Sequence, residues 1–317
     1  MDRVSQTVYL GDIISQDGSN TSNVRSRASK GMGLVNQIMK MLQTVSFGVK
    51  FFEIALSFRE AILINGMLGS VESWYGLKEK EIEEFEEMDK ILIRKILAAP
   101  SSSCIESLYL ELGIIPIRIL IKGRRICYLH YLTNLEKDEM LNKFFLTQWK
   151  YPCKNDWTLQ VRKDLEEFGI NDDLEALKTK SQESFKRIVK IKMKETALDY
   201  LANLKETHSK MDNLTYTELK IQDYLKAEDI SVQEARNLFR YRVRVANFKE
   251  NFGQKFQNKG CPFCFVHLDT QSHATQCAAV KEIISMEGDY RKIFFGKIPS
   301  DIARTLLKIS KLRENLI

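Results

Sequence analysis

The stretch EKEIEEFEEMDKILIRKIL, residues 79–97, has little choice but to form an amphipathic helix. Ile82, Phe85, Met88, Leu92 and Ile96 recur on one face at the helical spacing. Acids crowd its first half, and Arg94 and Lys95 sit near its end, the order the helix dipole favours. The same period runs through most of the chain. Only 15 Gly and 5 Pro occur among 317 residues, so long regular elements are expected. Val24, Ala28, Val35, Ile38, Leu42 and Val45 make another stripe, starting from a cap at Ser22 or Asn23. Residues 49–69 read as a buried helix, although Glu53, Arg59 and Glu60 interrupt it.

Further helices are predicted over SCIESLYLELG, closed by Gly113, and over PIRILIKGRRICYLHYL, with Pro116 in its first turn. EKDEMLNKFFLTQWK and WTLQVRKDLEEFGI follow, then residues 172–208, 217–226 and 232–250, and closing helices capped at Ser300 or Asp301. The start, TVYLGDIISQDG, alternates apolar and polar residues and reads as a short hairpin. The predicted fold class is mainly α: a helical bundle, a helical connector, an N-terminal β-hairpin and a small C-terminal zinc knuckle. The expected segments are 1–19, 20–150, 151–259 and 260–317, with a soft boundary at the Pro-Cys-Lys-Asn-Asp break of 152–156.

No stretch reaches the ~18 apolar residues that span a bilayer, so no membrane partner is expected. Cys104, Cys127 and Cys153 are scattered without a pairing pattern, which suits reduced thiols in nucleus or cytoplasm. The other three cysteines lie in CPFCFVHLDTQSHATQC, residues 261–277. Zinc favours thiolate and imidazole ligands in a tetrahedron, and a Cys-x2-Cys hook supplies two from one turn. Cys261 and Cys264 form the hook, and Pro262 pre-sets part of it. His273 and Cys277 are about one helical turn apart and can face the same ion. His267 is the competing imidazole. Four protein ligands leave no position for water, so the expected cofactor is structural zinc.

Net charge is +6 but uneven. Between Ser231 and Gly260, Arg236, Arg240, Arg242, Arg244, Lys249, Lys255 and Lys259 face only Glu234 and Glu250, seven against two. Phe239, Tyr241, Phe248, Phe252 and Phe256 interleave with them. Basic residues neutralise phosphates and aromatics stack on unpaired bases, so RNA and/or DNA is the expected partner. The alternative is an amphipathic helix with core aromatics and solvated arginines.

YLGDIISQDGSNTSNVRSRASKGMGLV resembles the stretch just after the polymerase palm of non-LTR (LINE-type) retrotransposon reverse transcriptases, where a primer-grip hairpin leads into the helical thumb. ESLYLELGIIPIRILIKGRRICYLHYL and the segment from Leu238 to Cys277 resemble the region beyond the thumb and the zinc knuckle of the same proteins. The resemblance implies primer-grip roles for Tyr9, Leu10 and Gly11. It implies that Arg25, Arg27 and Lys30 face the template–primer duplex, and that Cys261, Cys264, His273 and Cys277 ligate the zinc. Polymerisation needs palm carboxylates that hold Mg²⁺, and the one Asp-Asp pair, Asp172 and Asp173, reads instead as a helix cap. The expected function is therefore nucleic-acid binding without catalysis. The alternatives are a helical protein-interaction module, with other element or host proteins as partners, or an element remnant without a selected role.

Overall fold

A computed structural model describes residues 5–9, 11–44, 50–154, 156–205, 211, 214–251, 258–283, 293, 298 and 300–315. The chain is mainly α-helical and opens with its one described sheet, the antiparallel hairpin β1 (Gln6–Tyr9) and β2 (Asp12–Ser15). Gly11 takes a φ of 89° in the two-residue turn between them. The helices are α1 (Thr21–Thr44), α2 (Phe51–Phe58), a π-helical run Arg59–Ile64 that continues into α3 (Asn65–Met67), and α4 (Glu79–Leu97). Then come α5 (Ile105–Leu112), α6 (Ile117–Thr133), α7 (Met140–Lys150), α8 (Trp157–Glu167), α9 (Leu174–Lys178) and α10 (Gln182–Lys205). The chain ends with α11 (Val232–Arg242), α12 (Gln271–Ala274), α13 (Ala278–Ile283) and α14 (Ser300–Glu314). Among the described residues, no helix is long and apolar enough to cross a membrane.

Two compact units form from alternating stretches. The first gathers 1–40, 57–92 and 115–200; the second gathers 41–56, 93–114 and 201–317. In the first unit, Asn23 lies inside α1 rather than capping it. Its side chain accepts from the Ile13 N–H at 2.5 Å and donates to the Ile13 carbonyl at 3.0 Å, which fastens β2 to the helix. α1 comes close enough to α3 and α4 that a Cβ on Gly31 would meet Met88 Cγ at 2.7 Å and Met67 Sδ at 3.0 Å.

The interruption at Arg59 is solved by pairing. Arg59 is buried with its Nε 2.6 Å from Asp89 Oδ1 and Nη2 2.7 Å from Oδ2. Arg125 meets buried Asp164 in the same bidentate way, and Arg118 meets Glu86. The acidic start of α4 is therefore only partly open: Glu79, Glu83 and Glu87 stay exposed along one side. Glu81, Glu86 and Asp89 are all buried, and Glu81 accepts from the Thr21 hydroxyl at 2.6 Å and the Lys78 N–H at 2.9 Å.

In the second unit, α5 ends on Gly113 at φ 63°, as its sequence predicts. Residues 217–226, expected as a helix, contain only a single 3-10 turn, Asp223–Leu225. The backbone of Lys220 and Ile221 passes against Gly113, and the Gln222 N–H donates to the Glu111 carbonyl at 3.0 Å. The predicted 232–250 helix also stops early. Its start carries a capping box between Ser231 and Glu234. Arg244 then takes φ 53°, and the N–H groups of Val245 and Ala246 turn back to the Arg240 carbonyl. This is a left-handed helix stop made without glycine.

Candidate metal centre and basic surfaces

The candidate metal centre is built from a short loop, the short helix α12 and the residue just before α13. Gly260 and Leu268 form an antiparallel bridge, and the Cys261 N–H donates to the His267 carbonyl at 2.7 Å. The Phe265 N–H donates to the Cys261 carbonyl at 2.9 Å, closing the hook. Phe265 stands at φ 59°, a left-handed conformation that costs a side-chain-bearing residue about 1–2 kcal/mol. Thr270 caps α12 by accepting from the His273 N–H at 3.0 Å, and the Cys277 N–H donates to the His273 carbonyl at 2.7 Å. This turn puts His273 and Cys277 on one face, as their spacing predicts.

One ligand atom from each of Cys261, Cys264, His273 and Cys277 lies within 4.8 Å of the other three. Cys264 Sγ is 3.3 Å from His273 Nε2. Three sulfurs and one imidazole nitrogen at such mutual distances fit the tetrahedral zinc shell, whose bonds are about 2.0–2.3 Å long. His267 is exposed and is not one of the four, although its ring centroid lies 4.9 Å from that of His273. Backbone N–H groups of His267 and Val266 donate to Cys264 and hold its thiol down to about 6. Burial instead pushes the Cys261 thiol up. Both cysteines nearest the protein interior, Cys261 and Cys277, are enclosed.

Below the loop, Asp269 is the main organiser. It is fully buried and receives Arg313 Nη1 and Nη2 at 2.6 Å each, with the Lys249 N–H at 3.0 Å. Lys249 Nζ donates to the Gly260 carbonyl at 3.0 Å. One of the expected phosphate contacts thus supports the stem of the metal loop.

The structure corrects most of the expected basic segment. Phe239, Tyr241 and Phe248 are core residues, not open stacking surfaces. Phe252, Lys255 and Phe256 lie outside the described residues. Arg242 is buried, because its guanidinium embraces the fully buried Glu111 with Nη2 at 2.9 Å and Nε at 3.0 Å, and also donates to the Ile293 carbonyl. Arg236 and Arg240 donate to the carbonyls of Ile96 and Ala98 at the end of α4. Arg244 is half-buried beyond the helix end.

At the N-terminal region Tyr9 is exposed, Gly11 makes the turn, and Leu10 lies outside the described residues. Arg27 is likewise turned to structure. It pairs with Asp12 at 2.6 Å and stacks over Trp74 at 5.2 Å. Arg25 and Lys30 are exposed, as is Lys40, and α1 contains no acidic residue along its 24 positions.

A second basic surface lies on α10, on residues that the sequence reading does not mark as phosphate contacts. Lys186, Arg187 and Lys190 are exposed there, and none of the three is ion-paired among the described residues. Its signal is FKRIVKIKMK, ten residues without an acid. Asp173 caps α9, accepting from the N–H groups of Glu175 and Ala176. Comparison with known protein families, curated proteins and solved structures finds no match for this chain.

Proposed function

We propose that this chain is a zinc-stapled helical module that binds nucleic acid, equivalent to the part of a LINE-type reverse transcriptase that lies beyond the catalytic palm. The observation that carries the binding reading is a pair of basic helix surfaces, α1 with no acid along its length and the acid-free run 185–194 of α10. α1 exposes Arg25, Lys30 and Lys40, and α10 exposes Lys186, Arg187 and Lys190. Cations without carboxylate partners are free to release counterions from a phosphate backbone. Cys261, Cys264, His273 and Cys277 would hold one zinc ion, which gives a local charge of −3 + 2 = −1 and no open coordination position. Zinc here cross-links a loop with two helices too short to hold themselves together. The reading assigns no catalytic residue.

Replacing Lys186, Arg187 and Lys190 together with Gln tests it. Each cation withdrawn from a phosphate should flatten the log–log salt dependence on a single strand by about 0.7, so the triple change should flatten it by about two. Unchanged affinity and slope on RNA and DNA alike would remove α10 from the binding surface. A second reading is favoured by one specific observation. α7 exposes Met140, Leu141, Phe144 and, just past its end, Tyr151, an apolar stripe suited to a protein partner. Salt-insensitive binding of a protein, with no nucleic-acid affinity, would favour that reading.

A further inference from the structure

The position after the second hook cysteine must turn left-handed for the next two N–H groups, those of Val266 and His267, to reach Cys264 Sγ. Glycine or asparagine adopts that turn readily; a bulky aromatic does not. Phe265 occupies it nonetheless, and the residue is 79% exposed, so no core contact offsets the strain. Val266 is 79% exposed beside it. Neither the backbone nor the packing accounts for a phenyl ring here. Strained residues of this kind concentrate at ligand contacts.

We propose that Phe265 is a stacking platform for one unpaired nucleobase of a single-stranded nucleic acid, an inference that rests on the nucleic-acid reading above. The surroundings favour this occupant. Phe265, Val266 and Leu268 offer far less than the ~800 Å² each partner contributes to a stable protein interface, whereas a base needs one ring face. From Asn258 to Asp269 the only acid is Asp269, which is neutralised by Arg313, while Lys259 is exposed at the stem. The exposed His267 between Val266 and Leu268 breaks the apolar tip and disfavours burial in a lipid bilayer. The hook fixes the backbone of Phe265 before binding, so stacking need not order the loop.

Phe265→Asn removes the ring and suits the left-handed turn; Phe265→Trp restores an aromatic face. The zinc-loaded full chain should be titrated with oligothymidylate, with an abasic strand of equal length, and with anionic phospholipid vesicles. Phe265→Asn should keep its zinc and melt no lower than the parent, yet bind oligothymidylate about tenfold more weakly. It should bind the abasic strand as the parent does, and Phe265→Trp should recover the missing affinity. Equal binding of oligothymidylate by parent and Phe265→Asn overturns the platform while leaving the nucleic-acid reading intact. A parent that binds neither strand at low salt defeats both. Vesicle binding by the parent that Phe265→Asn abolishes would reassign the tip to a membrane surface.

Discussion

Arg242→Gln separates structure from binding in the basic segment. The substitution takes from Glu111 a guanidinium whose Nε lies 3.0 Å from Oε1 and 3.1 Å from Oε2, with Nη2 2.9 Å from Oε1. Glu111 is fully buried, and the Tyr216 hydroxyl at 2.7 Å is the neutral donor it keeps. A buried carboxylate left without its cation costs about 3–5 kcal/mol. Against a typical total of about 5–15 kcal/mol, that is roughly a fifth or more of the stability. Urea denaturation followed by far-ultraviolet circular dichroism should show the loss as a lower midpoint. Replacing the pair together, Arg242→Met with Glu111→Leu, should recover much of it, because no orphaned charge is left behind. The salt dependence of nucleic-acid binding, measured where the variant is still folded, should not change. A loss under about 1 kcal/mol, combined with a slope flattened by about 0.7, would refute the reasoning and return Arg242 to the residues that touch phosphate.

Two further perturbations test the metal loop and the second unit. In metal-free protein, alkylation of Cys264 by iodoacetamide should rise with pH around a midpoint of about 6, far below the ordinary thiol value of 9.0, because backbone N–H groups stabilise its thiolate. One equivalent of zinc should then protect Cys261, Cys264 and Cys277 while the exposed Cys153 stays reactive; modification of all four by mass spectrometry would contradict the site. Gly113→Ala places a Cβ 2.0 Å from the Lys220 carbonyl carbon at φ 63°, so a loss near 4 kcal/mol is expected in urea denaturation. Gly169→Ala, at φ 60° with open space around it, should lose only the conformational 1–2 kcal/mol or so, and equal losses would deny the clash.

The legible parts of this fold are those written in local signals. The 79–97 helix has its predicted bounds, Gly113 stops α5, Asp173 caps α9, and the four zinc-type ligands converge as their spacing requires. The errors fall where a distant partner decides. TELKIQDYLK has a helical look, but hydrogen bonding to the end of α5 and the absence of a Cβ at Gly113 let it run as irregular bends with one 3-10 turn. The α11 stop carries no glycine, so nothing in the sequence announces that Arg244 will turn left-handed. Arg242 and Glu111 are 131 residues apart, and no local pattern pairs them.

Counting charges along the chain therefore misplaces the basic surface, and the reason is physical. Arginine is the residue best able to be consumed by the fold, because its planar fork satisfies a carboxylate or a helix-end carbonyl in a single geometry. Arg27, Arg59, Arg125, Arg236, Arg240, Arg242 and Arg313 are all used that way. The segment from 231 to 260 is rich in such arginines, so its excess charge measures internal wiring as much as surface potential. Lysine is harder to bury, being a strongly hydrated point charge on a flexible stem. Lys30 and Lys40 on α1 and Lys186 and Lys190 on α10 stay exposed accordingly. Under the nucleic-acid reading proposed above, the acid-free run of α10, with Lys186 and Lys190 exposed, offers phosphate contacts that the fold-bound arginines of α11 do not.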